Sequence, residues 1–259
     1  MKRKVSIFLA VGFVAILFSQ FSLAQAQQPK GQLYIIWEPV VQPSKVVDFV
    51  EATRAEVALY AKYKFPYAWE TASRSDYHFY FLIPVDNFAA IDSVFEAFDK
   101  IEATAGKEYQ ELLDMFEGTY EYVQPQIYFL NYELSLISEQ ETAEPEGANF
   151  LCWDIHYIHG GKEGEYEKLQ KEFKALCKSK NVSQNWYCYQ AVIGEKTPVC
   201  YWLTIAKDAI DFYTQNAKMW DALGEEGGEY YQKMRTLIRK REMKTGRSRP
   251  GLSYRPTEK

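Results

Sequence analysis

The chain states one pattern twice. Leu33 to Trp37 answers Leu151 to Ile155 at an offset of 118, and Trp69 answers Tyr187 at the same offset. The run Phe79-Tyr80-Phe81-Leu82 answers Cys200-Tyr201-Trp202-Leu203 at 121, and Tyr109, Leu112 and Phe116 answer Tyr231, Met234 and Ile238 at 122. A drift of a few residues is what short loop insertions leave behind. A repeated unit that cannot cover its own apolar face covers it with its copy, so this pattern limits the architecture before any motif is considered.

Periodicity gives both halves the same order of elements. Gly31 to Val41 alternates and is rich in aliphatic and aromatic residues, as a strand is. Pro43-Ser44 opens a helix whose apolar positions Val46, Phe49, Val50, Val57, Tyr60 and Ala61 share one face. Tyr67 to Thr71 and Tyr77 to Val85 read as strands around a polar turn at Ala72 to Asp76. A helical stretch marked by Ile91, Val94, Phe98 and Ile101 breaks near Gly106 and resumes with Tyr109, Leu112 and Phe116, and Gln126 to Leu136 supplies the last strand. In the second half, Phe150 to Ile158 is the first strand and Tyr166, Leu169, Phe173 and Cys177 mark the first helix. Asn185 to Ile193 and Val199 to Ile205 form a hairpin, and a helix broken at Gly224 follows. Leu252 to Arg255 is left as the final strand. Each unit is β-α-β-β-α-β, and the fold class is α+β.

Ahead of the repeat, Lys2-Arg3-Lys4, the apolar run Val5 to Leu17 and the small-x-small triplet Ala24-Gln25-Ala26 form the pattern of a cleaved signal peptide. Ser19, Gln20 and Ser22 interrupt the run, which falls short of the roughly 20 residues that span a bilayer. The expected organisation is a signal over 1–26, a first repeat over 27–137, a polar linker over 138–148 and a second repeat with a basic tail over 149–259. Export to the periplasm or beyond the cell follows, without stable membrane insertion after cleavage. The mature chain would carry a net charge of −8, which argues against nucleic acid as its main partner. Residues 233–259 run against that balance, with ten Lys or Arg and two Glu, and read as a solvated helix end. Cys152, Cys177, Cys188 and Cys200 all fall in the second half, where their even number permits disulfides and their apolar surroundings suit buried thiols.

A β-α-β-β-α-β unit places both helices on one face of a four-stranded antiparallel sheet and leaves the other face bare. Tyr34, Ile36, Trp69, Tyr80 and Tyr128 make the strands apolar on both faces, so that bare face needs a cover, and the second copy is nearest. In element order, repetition and two-sided strands the chain resembles the ferredoxin-like dimeric α/β-barrel superfamily, with one polypeptide supplying both halves of a pseudo-twofold barrel. That resemblance implies a shared space between the sheets and a range of activities: cofactor-free oxygenases, isomerases, haem-linked enzymes and proteins with no established activity. Element order transfers no catalytic residue.

Residues facing the space between the sheets are therefore the local guide. With Leu33, Ile35 and Trp37 against the helices, Tyr34, Ile36 and Glu38 turn inward, and the offset of 118 sends Cys152, Asp154 and His156 to the matching places. The start of the third strand sets His78 beside Glu38. Glu38, His78, Asp154 and His156 are thus candidate acid–base groups, since a carboxylate beside an imidazole moves protons near neutral pH. Tyr34, Trp69, Tyr80, Tyr128, Trp186 and Trp202 are candidate ligand-binding residues for a flat or apolar molecule. No metal site and no cofactor is expected, because Asp154 and His156 are too few ligands and no axial haem ligand is singled out. Three functions remain open. The first is binding of a small, partly aromatic or apolar molecule between the sheets; the second is a cofactor-independent oxygenase, isomerase or lyase using a carboxylate/histidine pair; the third is a structural or assembly role with a closed barrel. Oligomeric state is not written in the pattern.

Overall fold

A computed structural model describes residues 30–137 and 149–256, so the leader expected over 1–26 and the linker over 138–148 lie outside the described residues. The first half runs β1 (Gly31–Val41), α1 (Val46–Lys62), β2 (Glu70–Arg74), β3 (Phe79–Val85), α2 (Ala90–Ala105), α3 (Lys107–Phe116) and β4 (Tyr120–Asn131). The second runs β5 (Phe150–Ile158), α4 (Glu163–Ser179), β6 (Tyr187–Ile193), β7 (Val199–Ala206), α5 (Ala209–Leu237) and β8 (Ile238–Ser248). Gly106 separates α2 from α3 at φ 52°, and Gly224 kinks α5 at φ 53°. Both conformations are left-handed, which a residue with a Cβ rarely adopts inside a helix.

All eight strands close into one antiparallel barrel in the order β1-β3-β2-β8-β5-β7-β6-β4. Each half contributes four consecutive strands, and the halves meet along β2–β8 and β4–β6. At the first seam Gly246 lies so close to β2 that a Cβ would sit 2.0 Å from the Ser73 carbonyl oxygen, so glycine allows the strands to close. The helices cover the outside of the barrel and build one apolar layer on each half.

The main differences from the sequence reading lie in β2, in β4, which runs Tyr120–Asn131 and not Gln126–Leu136, and in β8. The β2–β3 turn falls after Arg74, because Ala72 and Ser73 pair with β3 on one side and Ala72, Ser73 and Arg74 with β8 on the other. β4 stops at Asn131, whose side-chain oxygen accepts from the backbone of Glu133 and Leu134 and turns the chain. The largest difference is β8. Ile238–Ser248 lies within the basic stretch expected to be a solvated helix end, and it forms the strand that pairs with β5 along Leu151 to Ile158. Leu252 to Arg255, expected as the last strand, contributes only an isolated bridge at Tyr254.

That bridge is half of a crossed arrangement. Trp69 of the first half exchanges backbone hydrogen bonds with Tyr254 of the second, both 3.0 Å, and its indole donates to the Leu252 carbonyl at 2.9 Å. Trp186 of the second half exchanges bonds with Leu136 of the first, 2.9 and 3.0 Å, and its indole donates to the Leu134 carbonyl at 3.1 Å. Ser253 and Ser135 repeat the exchange, each accepting at 2.9 Å from the backbone N–H of Thr71 and Cys188. Each half is latched by the tail of the other.

Candidate functional site

The space between the sheets, where the sequence reading placed a ligand, is filled by side chains. Tyr34 meets Tyr189 edge to face at 5.8 Å, Tyr80 tilts against Trp153 at 5.8 Å, and Tyr128 meets Tyr201 edge to face at 5.2 Å. About 60 Å³ remains among them. That is room for about two waters at roughly 30 Å³ each and too little for a ring-sized molecule. Tyr34, Tyr80 and Tyr128 therefore pack the barrel instead of lining a cleft, and burial pushes the Tyr34 hydroxyl up to about 12.

The expected approach of His78 to Glu38 is present at one end of the barrel. His78 Nδ1 lies 2.6 Å from Glu38 Oε1, and Gln126 Nε2 donates to the other carboxylate oxygen. Arg74 stands 3.8 Å from Glu38, donates to the Tyr80 hydroxyl at 2.8 Å and pairs with Asp76, which also binds Lys244. With so little space inside, this cluster closes the barrel end; of its members Arg74 also lines an open groove of about 530 Å³ on the outside, between the β2–β3 turn and the start of α5.

Asp154 and His156 are on the opposite face from the one expected. Leu151, Trp153 and Ile155 point into the barrel beside Ile36 and Tyr80, while Cys152, Asp154 and His156 point outward to the helices. The cause is an offset of one residue. Ile36 pairs with Leu82 as Trp153 pairs with Leu203, so the structural offset at the first strand is 117, not 118. A one-residue slip exchanges the two faces of a strand. At 117 Trp69 is equivalent to Trp186, Phe49 to Tyr166 and Thr53 to Gln170, while Glu38 is equivalent to Ile155 and not to His156. Glu38–His78 and Asp154–His156 are two separate pairs.

Each sheet has a cavity under its helices. In the first half a space of about 360 Å³ opens between β1, β3 and the helices α1 to α3. Trp37, Trp69, Phe81, Phe98, Leu112 and Phe116 make its lining largely apolar, and Trp37 packs edge to face on Phe98 at 5.3 Å. Glu56, on the inner side of α1, is the lone ionisable carboxylate in this lining, and burial pushes it up to about 7. The sequence reading missed Glu56. Its signal was a carboxylate between Thr53, Val57 and Tyr60 on the apolar face of a helix.

The second cavity is smaller, about 130 Å³, and polar at its centre. Asp154 accepts two bonds of 2.7 Å from Arg241 of β8, and His156 Nε2 lies 3.3 Å from Asp154 Oδ1. Burial alone would raise the Asp154 pKa, but His156 and the Arg241 guanidinium outweigh it and bring it down to about 2. His156 Nδ1 meets the Tyr166 hydroxyl at 2.6 Å, and that hydroxyl accepts from the Trp202 indole at 2.8 Å. Trp186 and Trp202, expected between the sheets, line this cavity, as Trp69 lines the first. Arg241 was not anticipated because its strand read as a tail. The four cysteines are buried free thiols. Among the described residues no group of three or more His, Cys, Asp and Glu side chains converges as a metal site does.

No protein-family model matches this chain, and no curated protein matches it. Solved structures do. An anthrone oxidase-like protein superposes with a TM-score of 0.55 at 10% identity, over 86% of this chain and 92% of its own. A candidate monooxygenase of Lactobacillus acidophilus NCFM gives 0.51 at 8% identity, over 86% and 96%. A second, from Fusobacterium nucleatum, gives 0.52 at 9% identity, over 85% and 94%. At such identities the likeness is one of fold, and it agrees with the dimeric α/β-barrel architecture.

Proposed function

We propose that this protein binds a small, largely apolar, partly aromatic molecule in the cavity between the first sheet and helices α1 to α3. The observation that carries this reading is a space of about 360 Å³ walled by aromatic rings and holding a single carboxyl, Glu56. Ligand sites are mostly apolar with a few placed polar groups, and this volume lies within their usual range. A carboxyl whose pKa is near neutrality either donates or accepts a hydrogen bond, so Glu56 orients the ligand's polar end while the rings take its flat body. A purely structural role accounts for the closed barrel but leaves this cavity without use.

The leader pattern of residues 1–26 supports export, and N-terminal sequencing of the secreted or periplasmic protein is expected to begin near Gln27. Mass spectrometry of the natively purified chain tests binding: a retained small molecule is expected. Leu113→Trp, which places a large ring in the cavity from a half-exposed position, should abolish retention without unfolding the protein. Equal retention by that variant would place the ligand elsewhere.

A further inference from the structure

The second cavity holds two buried groups that hydrogen-bonding within the protein leaves open. His156 Nε2 and Gln170 Nε2 have no hydrogen-bond partner among the described residues, although their residues are only 4% and 3% exposed. Both residues line the cavity of about 130 Å³. Leaving such a group unpaired forfeits the hydrogen bond that water would have given it, so two in one chamber indicate something that pairs with them.

Their neighbours fix what that something offers. The Trp202 indole can only donate, and it donates to the Tyr166 hydroxyl. Tyr166 then directs its own proton to His156 Nδ1, 2.6 Å away, which makes that nitrogen the acceptor and puts the imidazole proton on Nε2. Gln170 Oε1 accepts from the Tyr230 hydroxyl at 2.8 Å, so the amide nitrogen is the free end. Both open groups are donors. Asp154 is close to His156 Nε2 at 3.3 Å, a contact that helps to keep the carboxylate ionised, but the imidazole is not aligned for a hydrogen bond and its N–H is left available. The Asp154–Arg241 ion pair also leaves the chamber without net charge, so a bound anion would find no free cation. Phe173, Trp186 and Trp202 supply flat walls, with Phe173 stacked on Tyr230 at 3.9 Å.

We infer that this chamber is a second binding site, independent of the first, for a small uncharged molecule with one flat ring and a carbonyl oxygen, held by N–H donors from His156 and Gln170. An aromatic carboxamide has this chemistry, and benzamide is the probe. With three histidines in the chain, nitrogen-15 NMR of the full-length mature protein resolves each imidazole. His156 is expected to carry a proton on Nε2, and benzamide should shift its Nε2 resonance saturably while the resonances of His78 and His159 stay in place. Benzoate, of the same shape but charged, should bind at least about tenfold more weakly, and so should benzamide to Gln170→Leu. An Nδ1–H tautomer overturns the assignment of donors. Absence of a shift with millimolar benzamide, with a long-lived water still in contact with His156, makes the chamber a water site and overturns the proposal, as does equal binding of benzoate. The tautomer and the probe titration are read on the unmodified protein, so a variant that fails to fold does not decide the matter.

Discussion

The two cavities occupy the same place in two copies of one unit, yet their chemistry is nearly inverted. Trp37, Pro39 and Thr53 of the first half stand where Asp154, His156 and Gln170 stand in the second, and Glu56 stands where Phe173 does. What both keep is the frame: the tryptophan pair Trp69 and Trp186, the crossed tails that hold them, and the glycine breaks at Gly106 and Gly224. The frame is what a barrel closed by its own copy needs, whereas the outward positions of the first strand are free to change because helices, not the partner sheet, cover them. One half has become roomy and apolar with a single carboxyl; the other is tight and networked. Two different ligands on one scaffold is the reading that this difference supports.

The shared frame is tested most severely by the tryptophans. Trp69→Ala and Trp186→Ala should each cost about 3–5 kcal/mol in denaturant unfolding, by the usual scale for a buried aromatic, and by similar amounts. A large inequality would break the equivalence of the two latches.

The next effects separate the halves. Glu56 has its pKa raised to about 7 by burial, so the folded state is penalised as pH rises above the ordinary glutamate range, and the full penalty is present once pH exceeds 7. Glu56→Gln should therefore stabilise the protein by up to about 3 kcal/mol near pH 8.5 and change little near pH 4. Asp154 has the opposite sign. Its pKa is lowered to about 2, so its contribution is complete above the ordinary aspartate value and is lost as pH falls through about 4 toward 2. Arg241→Met should cost about 2 kcal/mol near pH 7, less than a fully buried pair because both side chains keep some exposure, and should flatten that acid-side loss. Denaturant midpoints across pH measure both.

The smallest effect concerns reactivity. Burial pushes the Cys152 and Cys177 thiols up to about 12 and raises Cys188 strongly, and all four cysteines belong to the second half. Native protein near pH 8 should resist thiol alkylation, and the unfolded chain should take up four equivalents. Rapid labelling of Cys152 in the folded protein would mean that the second chamber opens further than its packing shows.

The architecture was legible because the repeat and the aromatic runs specify elements strongly: the sequence reading and the structure agree on Gly31–Val41 and Phe150–Ile158 as strands and on helix breaks at Gly106 and Gly224. The faces were not legible to the same degree. In a sheet covered by helices outside and by another sheet inside, both faces are apolar, so alternation carries little information about which is which. Matching Leu33 to Leu151 by residue type then slipped the register by one and moved Asp154 and His156 into the barrel. The identity of Trp69 with Trp186 held the correcting signal. β8 was hidden for another reason: its Lys and Arg side chains are long enough to pair in three dimensions with Asp154, Asp76 and Glu242, and a run of such residues looks like a solvated end until β5 lies beside it.

The crossed tails also order events in time. As the polypeptide is made from its N-terminus, Trp69 is synthesised long before Leu252 and Tyr254, whereas Trp186 emerges when its clasp at Leu134 to Leu136 already exists. The older half of the molecule is therefore fastened late, and its apolar cavity acquires its final shape only once Leu252 and Tyr254 have been made.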